Sequence, residues 1–454
     1  MSVIANIWKI TELRQRILFT LGLVCICRMM VAVPTPGVNV AAVAAWMDQQ
    51  ASGAGGGLMG MFNVFTGGAL AKVSVGLLSI WPYITASIII QLMTAIIPTL
   101  GRMAREGESG RQKLNQTTRY LALALCAAQS FGIARGLLAG DLVYANTSAV
   151  GFTVLTVLCL TTATMLTMWL GEQITERGIG NGTSIIIMVN ICSSLPAALK
   201  EMVQSFIPIA GSEPRFNIFH LLLLSAITIL VFAGTICLTQ GARKVPIHTA
   251  RRTIGSKSTG GGSTYFPMRV NYTGVMPVIF AQPILGAVSW VFRQVPDTAP
   301  GWISWMNWLG NALYPSSGMR GYFYLIVYSV LILFFCFFWV ATQFNAVQIA
   351  DDFKRGGSYV PGIRPGMPTA QFLDMTMTRV TLIGAVGLIT LALIPSILQG
   401  WMNVPGEMAR FMGGTSLLII VGVALDTMRV IESYLVMRNY DGFIRHGRLR
   451  GRNG

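Results

Sequence analysis

The chain has 454 residues, of which 53% are hydrophobic and 11% charged, and its formal net charge is +16. Soluble domains carry about 25% charged residues, so this composition excludes an ordinary water-soluble enzyme or binding module. It points to an integral membrane protein with little length left for a separate soluble domain.

A run of about 18 or more apolar residues is long enough to cross a bilayer. The first sixteen residues, MSVIANIWKITELRQR, contain no apolar core ending at a small-residue cleavage site, so no cleaved signal peptide is expected. The first predicted span covers approximately 17–33. Residues 55–75, GGGLMGMFNVFTGGALAKVSV, follow it with six glycines in their first fourteen positions. That stretch is too apolar for a surface loop and too rich in glycine for a span. It reads either as an amphipathic helix lying on the outer leaflet or as an apolar segment jointed to move.

Spans two to five are predicted at approximately 73–97, 118–138, 150–171 and 183–207. Spans six to ten are predicted at approximately 216–238, 272–292, 321–341, 379–398 and 411–436. Two of these carry clustered polar residues. WPYITASIIIQLM (81–93) holds Thr85, Ser87 and Gln91, and GNGTSIIIMVN (180–190) holds Asn181, Thr183, Ser184 and Asn190. Polar groups in lipid need partners or water, so these residues either join helices or line an aqueous path. Ile84 and Ile88 are four apart, as are Ile187 and Ile191, so each pair projects from one helix face. Helix packing explains such pairs, and so does an apolar constriction that gates a pore by dewetting.

Ionisable residues are nearly absent from the span interiors, whereas ion-coupled carriers keep them there. This argues against an ion-coupled secondary transporter, the alternative reading. Asp426 and Arg429 are three apart and are expected to pair, while Arg28 and Glu172 sit close to span ends. All seven cysteines lie inside apolar runs, and the three histidines, His220, His248 and His446, are scattered. No metal site, cofactor site or nucleophile constellation emerges, so no enzyme activity is expected.

Lysine and arginine set the orientation. With the N-terminus inside, the inner segments hold 24 of the 33 basic residues and the outer segments seven, with Arg28 and Arg429 in or near spans. Both termini are therefore expected in the cytoplasm. Two inner loops, approximately 239–271 and 342–378, are longer than topology alone requires. They carry Arg243, Lys244, Arg251, Arg252 and Lys257, and Lys354, Arg355 and Arg364.

Five stretches resemble the SecY family of protein-conducting channels: REGESGRQKLNQTTRY (105–120), ERGIGNGTSIII (176–187), VNYTGVMPVIFAQPIL (270–285), ADDFKRGGSYVPGIRPGMPTAQFLDMTMTRVTLIGA (350–385) and FMGGTSLLIIVGVALD (411–426). They follow the family's order and cover nearly the whole chain. The resemblance implies an all-α integral membrane fold with ten transmembrane helices. These form two inverted five-helix halves, residues 1–208 and 209–454, around a central hourglass pore. It implies that residues 55–72 form a plug, with Leu58, Met61, Phe62, Val64 and Phe65 filling the outer funnel. The pore ring it implies is Ile84, Ile88, Ile187, Ile191, Ile279 and Ile419. Spans two and seven line a lateral gate into lipid, with Thr85, Ser87 and Gln91 as its polar residues.

The same resemblance assigns Arg243, Lys244, Arg251, Arg252, Lys354, Arg355 and Arg364 to docking of the motor ATPase SecA or the ribosome. It implies SecE and SecG as partner subunits, presecretory and nascent membrane proteins as substrates, membrane lipid as surroundings, and no DNA. The location it implies is the bacterial inner membrane. Gln240 departs from the family's usual glutamate and Thr183 from its isoleucine. The stretch GSKSTGGGSTYF (255–266) reads as a mobile loop, and the outer loop 292–320, with Trp302, Trp305 and Trp308, as an interfacial belt.

Overall fold

Helix is what apolar runs must form in lipid, where every backbone N–H and C=O needs an internal partner. The computed structural model describes residues 10–51, 63, 66–144, 147–206, 218–249, 252–254, 257–259, 262–293, 301–313, 319–402 and 414–446. Its chain divides into two units, residues Met1–Pro196 with Val423–Gly454, and Ala197–Gly422. Among the described residues each predicted span contains helix. Among the described residues eight helical segments are long and apolar enough to cross a membrane. The other two predicted spans are the 16-residue helix Trp81–Ile96 and the C-terminal helix Gly414–His446, which carries Asp426, Arg429 and Glu432.

The first unit contains α1 (Thr11–Ala32), α2 (Val40–Ala51), α3 (Ala69–Lys72), α4 (Trp81–Ile96), α5 (Pro98–Arg105), α6 (Glu108–Ala139), α7 (Ala149–Arg177) and α8 (Gly182–Ser193). One face of α6 buries Thr118, Ala122, Cys126, Ser130 and Ala134, a small residue at every fourth position. Lipid gives helices no hydrophobic reason to associate, so close approach of small residues takes over. The approach is to α7, where the Cys126 thiol lies 3.9 Å from the Leu160 carbonyl. At one end, Val31, Val38, Val43, Ala69, Val73, Leu77 and Phe152 form a buried apolar cluster.

Span two begins later than its hydropathy suggests. Val73 (φ 42°) and Ser79 (φ 45°) both adopt left-handed backbone, which a β-branched valine rarely tolerates. The Val73 carbonyl is held by Thr35 from both its N–H (3.0 Å) and its hydroxyl (2.7 Å). Helix then starts at Trp81 with Pro82 in its first turn, where a missing N–H costs nothing. Span five is likewise divided, into α8 and α9 (Leu195–Phe206), with Pro196 opening the second piece.

The second unit contains α10 (Ile218–Gln240), α11 (Met276–Arg293), α12 (Gly301–Ala312), α13 (Met319–Gln343), α14 (Ala346–Arg355), α15 (Met367–Met402) and the start of α16 (Gly414–His446). Between α10 and α11 the chain leaves the helical pattern for β1 (Ala242–Thr249), β2 (Arg252–Ile254), β3 (Lys257–Thr259) and β4 (Ser263–Arg269). Part of the stretch expected to be a mobile loop is thus paired strand. β1 runs antiparallel to β4 from Ala242↔Arg269 to His248↔Ser263, and β2 pairs with β3. A fifth strand, β5 (Ser358–Tyr359), pairs with β1 through His248↔Tyr359 and Thr249↔Ser358, giving the order β4-β1-β5.

Candidate functional site

The residues singled out in the sequence fall in three places: on α4 and α8 of the first unit, on α11 and α16 in the second, and on the small sheet with its flanking helix. Leu58, Met61, Phe62, Val64 and Phe65 lie outside the described residues.

Ile84 and Ile88 occupy successive turns of α4 and are half-buried. On the same helix the Thr85 hydroxyl donates to the Trp81 carbonyl (3.0 Å) and Gln91 donates to the Ser87 hydroxyl (3.3 Å). Both bonds stay within α4. The Thr85 bond is back-bonding to its own helix, and neither bond ties α4 to a neighbour.

The motif GNGTS is resolved into separate duties. The Asn181 side chain caps α8, accepting from the backbone N–H groups of Thr183 (3.1 Å) and Ser184 (3.3 Å) and from the Thr183 hydroxyl (2.6 Å). Asparagine is a preferred N-cap because it satisfies donors the helix cannot. Gly182 is required sterically, since a Cβ there would run into the carbonyl oxygen of Gly171 on α7. Ile187 on α8 is half-buried and Ile191, a turn later, is fully buried.

Asn190, beside Ile191, is 3% exposed and belongs to a polar knot that sequence reasoning did not identify. Its amide nitrogen donates to the Ser79 hydroxyl (3.1 Å), and its amide oxygen accepts from the guanidinium of Arg28 on α1 (3.3 Å). Arg28 also donates to the Gly67 carbonyl (3.2 Å), as does the Ser193 hydroxyl (3.3 Å). A cation inside a span is costly unless paired with carbonyls or other acceptors, and here two acceptors meet it. The sequence signal was Arg28 itself, a charge in an otherwise uncharged run.

Ion pairs also lie in this unit, Arg16 with Glu12 at 3.4 Å among them. Asp426 and Arg429 pair at 3.3 Å, as their spacing predicts. Arg119 on α6 makes a two-pronged bond to Glu172 on α7, at 3.0 and 2.8 Å, a pairing that sequence separation concealed.

In the second unit Ile279 (on α11) and Ile419 (on α16) are both buried. The start of α11 lies against α16 about two turns into that helix, with Val275 3.7 Å from where a Cβ on Gly422 would stand. Between α11 and α13, Trp305 and Trp308 are exposed on α12, which the Ser289 hydroxyl fastens through the Gly310 carbonyl (2.7 Å).

The basic residues gather on the sheet. Val245 and Ile247 of β1 are buried, while Arg243 and Lys244 are exposed. Packed with them are Met268, Val340, Ala346, Ala350, Leu373 and Met377, an apolar core that the sheet shares with α13, α14 and α15. The sheet thereby fixes both long loops to one support. Helix α14 is capped by Asn345, which accepts from the Gln348 N–H (3.1 Å), and presents Lys354 and Arg355, exposed, in its last turn. Cations there complement the helix dipole. Arg364 is exposed on the tight turn before α15, where its carbonyl accepts from the Thr369 hydroxyl (2.8 Å). Arg252 lies on β2, and Arg251 lies outside the described residues. Among the described residues none of Arg243, Lys244, Lys354, Arg355 or Arg364 is in an ion pair, so the surface presents positive charge in excess of that of Asp351 and Asp352 on α14.

Comparison with known proteins agrees with this layout. The SecY family model matches residues 74–428. The protein translocase subunit SecY of Chlamydia muridarum is 39% identical, covering 100% of both chains. That of Escherichia coli K12 is 40% identical over 97% of this chain and 96% of its own. Among solved structures, one described as a protein conducting channel superposes with a TM-score of 0.61 at 17% identity, covering 92% of this chain and 91% of that one.

Proposed function

The chain belongs to the SecY family, and on that premise we propose how its residues serve the central channel subunit of a bacterial protein translocase. The observation that carries the reading is likeness along the full chain, at 39% identity, to proteins named as translocase subunits. It is a multi-pass membrane protein that conducts unfolded polypeptide.

The six isoleucines Ile84, Ile88, Ile187, Ile191, Ile279 and Ile419 act as the apolar constriction. Bulky aliphatic side chains close loosely around an extended chain of any sequence and offer it no polar contact to stick to. Apolar rings also hold back ions by dewetting. Residues 55–72 act as the stopper of the resting channel, through Leu58, Met61, Phe62, Val64 and Phe65. Thr85, Ser87 and Gln91 keep α4 internally satisfied, so that it can face either water or lipid as a lateral gate. An apolar segment then partitions by itself: a leucine favours the bilayer centre by about 0.3–0.6 kcal/mol, while a charge costs about 2.5–3.5 kcal/mol.

Arg243, Lys244, Arg251, Arg252, Lys354, Arg355 and Arg364 receive the cytoplasmic partner. A fixed surface with excess positive charge suits ribosomal RNA phosphates, and the same surface receives the motor ATPase SecA. SecE and SecG complete the complex. The chain supplies no covalent chemistry, and its energy comes from the partner. Both termini face the cytoplasm of a bacterial inner membrane, the orientation favoured by 24 basic residues inside against seven outside.

Reconstitution into liposomes with the partner subunits, motor ATPase, ATP and a presecretory protein tests the reading. Protease-protected substrate accumulates if the chain is the channel. Failure to protect any substrate, together with substrate-driven ion flux, would establish the secondary-transporter alternative instead.

A further inference from the structure

The polar knot around Arg28 lies where three functional segments meet within the first unit. Gly67 lies in the C-terminal part of the stretch 55–72 assigned as the stopper. Ser79 stands two residues before α4, which bears Ile84 and Ile88. Asn190 precedes Ile191 on α8. One guanidinium on α1 bonds directly to Gly67 (3.2 Å) and Asn190 (3.3 Å), and through Asn190 reaches Ser79 (3.1 Å). Ser193 adds a second donor to the Gly67 carbonyl at 3.3 Å.

The site is built for this contact. Gly67 has φ 68°, and a Cβ on it would strike the Arg28 guanidinium and lie 2.9 Å from the Ser193 hydroxyl. Only glycine lets the carbonyl present itself to the cation at this range. Ser79 is held at φ 45°, a strained backbone that persists where surrounding bonds over-determine it. A charged donor inside a membrane protein has few alternative acceptors, so breaking its bonds is costly and its preferred arrangement is sharply defined.

We propose that Arg28 is a positioning residue that latches the foot of the stopper, at Gly67, to the two helices carrying Ile84, Ile88, Ile187 and Ile191. Release of the Gly67 carbonyl and movement of α8 are then one event. A polypeptide entering the constriction and pushing α8 weakens the hold of Asn190 on Arg28, and with it the hold of Arg28 on the stopper. The inference rests on the assignment of residues 55–72 as the stopper.

The test measures resting ion conductance of the complete translocase complex in planar bilayers. Arg28→Met keeps the volume and removes the donors, Gly67→Ala displaces the guanidinium, and Arg28→Lys keeps the charge with a single donor head. Deletion of residues 58–68 serves as the stopper control. Expected is a rise in open probability of roughly tenfold or more for Arg28→Met and Gly67→Ala, the scale of losing a hydrogen bond to a charged group. Arg28→Lys should fall between these and the unaltered chain, and Arg28→Met added to the deletion should raise conductance no further than the deletion alone. If the deletion opens the channel and Arg28→Met or Gly67→Ala at normal abundance does not, the latch is wrong and the stopper stands. If the deletion itself changes nothing, both ideas fall. Additive effects of Arg28→Met and the deletion would mark Arg28 as a general support of the fold and overturn the latch. Should Arg28→Met fail to accumulate, Gly67→Ala decides by the same criterion.

Discussion

Single residues here divide into those that hold the helices together and those left exposed, and residue type alone does not separate them. Asn181 and Asn190 are nine apart in one motif, yet the first caps α8 and the second shares a bond with a cation. Gly182→Ala places a methyl group against the Gly171 carbonyl. The overlap should lower stability by about 1–3 kcal/mol, seen as a drop in the melting temperature of the detergent-purified protein. Arg364 is exposed and free of ion pairs among the described residues, so nothing in the fold depends on its charge. Arg364→Glu should leave assembly and melting temperature unchanged while lowering partner-driven translocation roughly tenfold, the scale of one lost charge-assisted contact. Wild-type translocation by that variant removes Arg364 from the docking surface.

At the level of elements, two devices account for most of the packing described. The first is the stripe of small residues along α6, which brings its backbone close to α7. Ala134→Leu should force the two helices apart and destabilise the protein by about 1–3 kcal/mol, with protease sensitivity in detergent as the measure. The second is the β4-β1-β5 sheet on the apolar core it shares with α13, α14 and α15. Leu373 is fully buried beneath it, and Leu373→Ala should cost about 2–5 kcal/mol locally. Expected is faster proteolysis in the 242–269 hairpin and weaker partner binding, with membrane insertion intact. Unchanged proteolysis would mean that the hairpin does not depend on that core.

For the molecule as a whole, charge is the quantity that reaches outward. Binding to a ribosome through this surface should weaken steeply between low and physiological salt, because each neutralised phosphate contributes its own salt term. A salt-independent affinity would shift the docking role to apolar contacts. The ten spans and the family were legible in the chain because hydropathy, basic-residue asymmetry and five long motifs are local properties of the sequence.

What the sequence alone determined was therefore the membrane class, the number of spans and the family, since bilayer thickness and backbone satisfaction leave few other solutions. The tertiary structure decided the rest. The pairing of β1 with β5 joins residues 248 and 359, and the bonds of Arg28 join positions 39 and 162 residues away. No periodicity encodes such partners, because hydrogen-bond geometry between distant segments exists only once the helices have set their backbones in place. The same cause shortened span two to Trp81–Ile96 and turned a glycine-rich loop partly into strand.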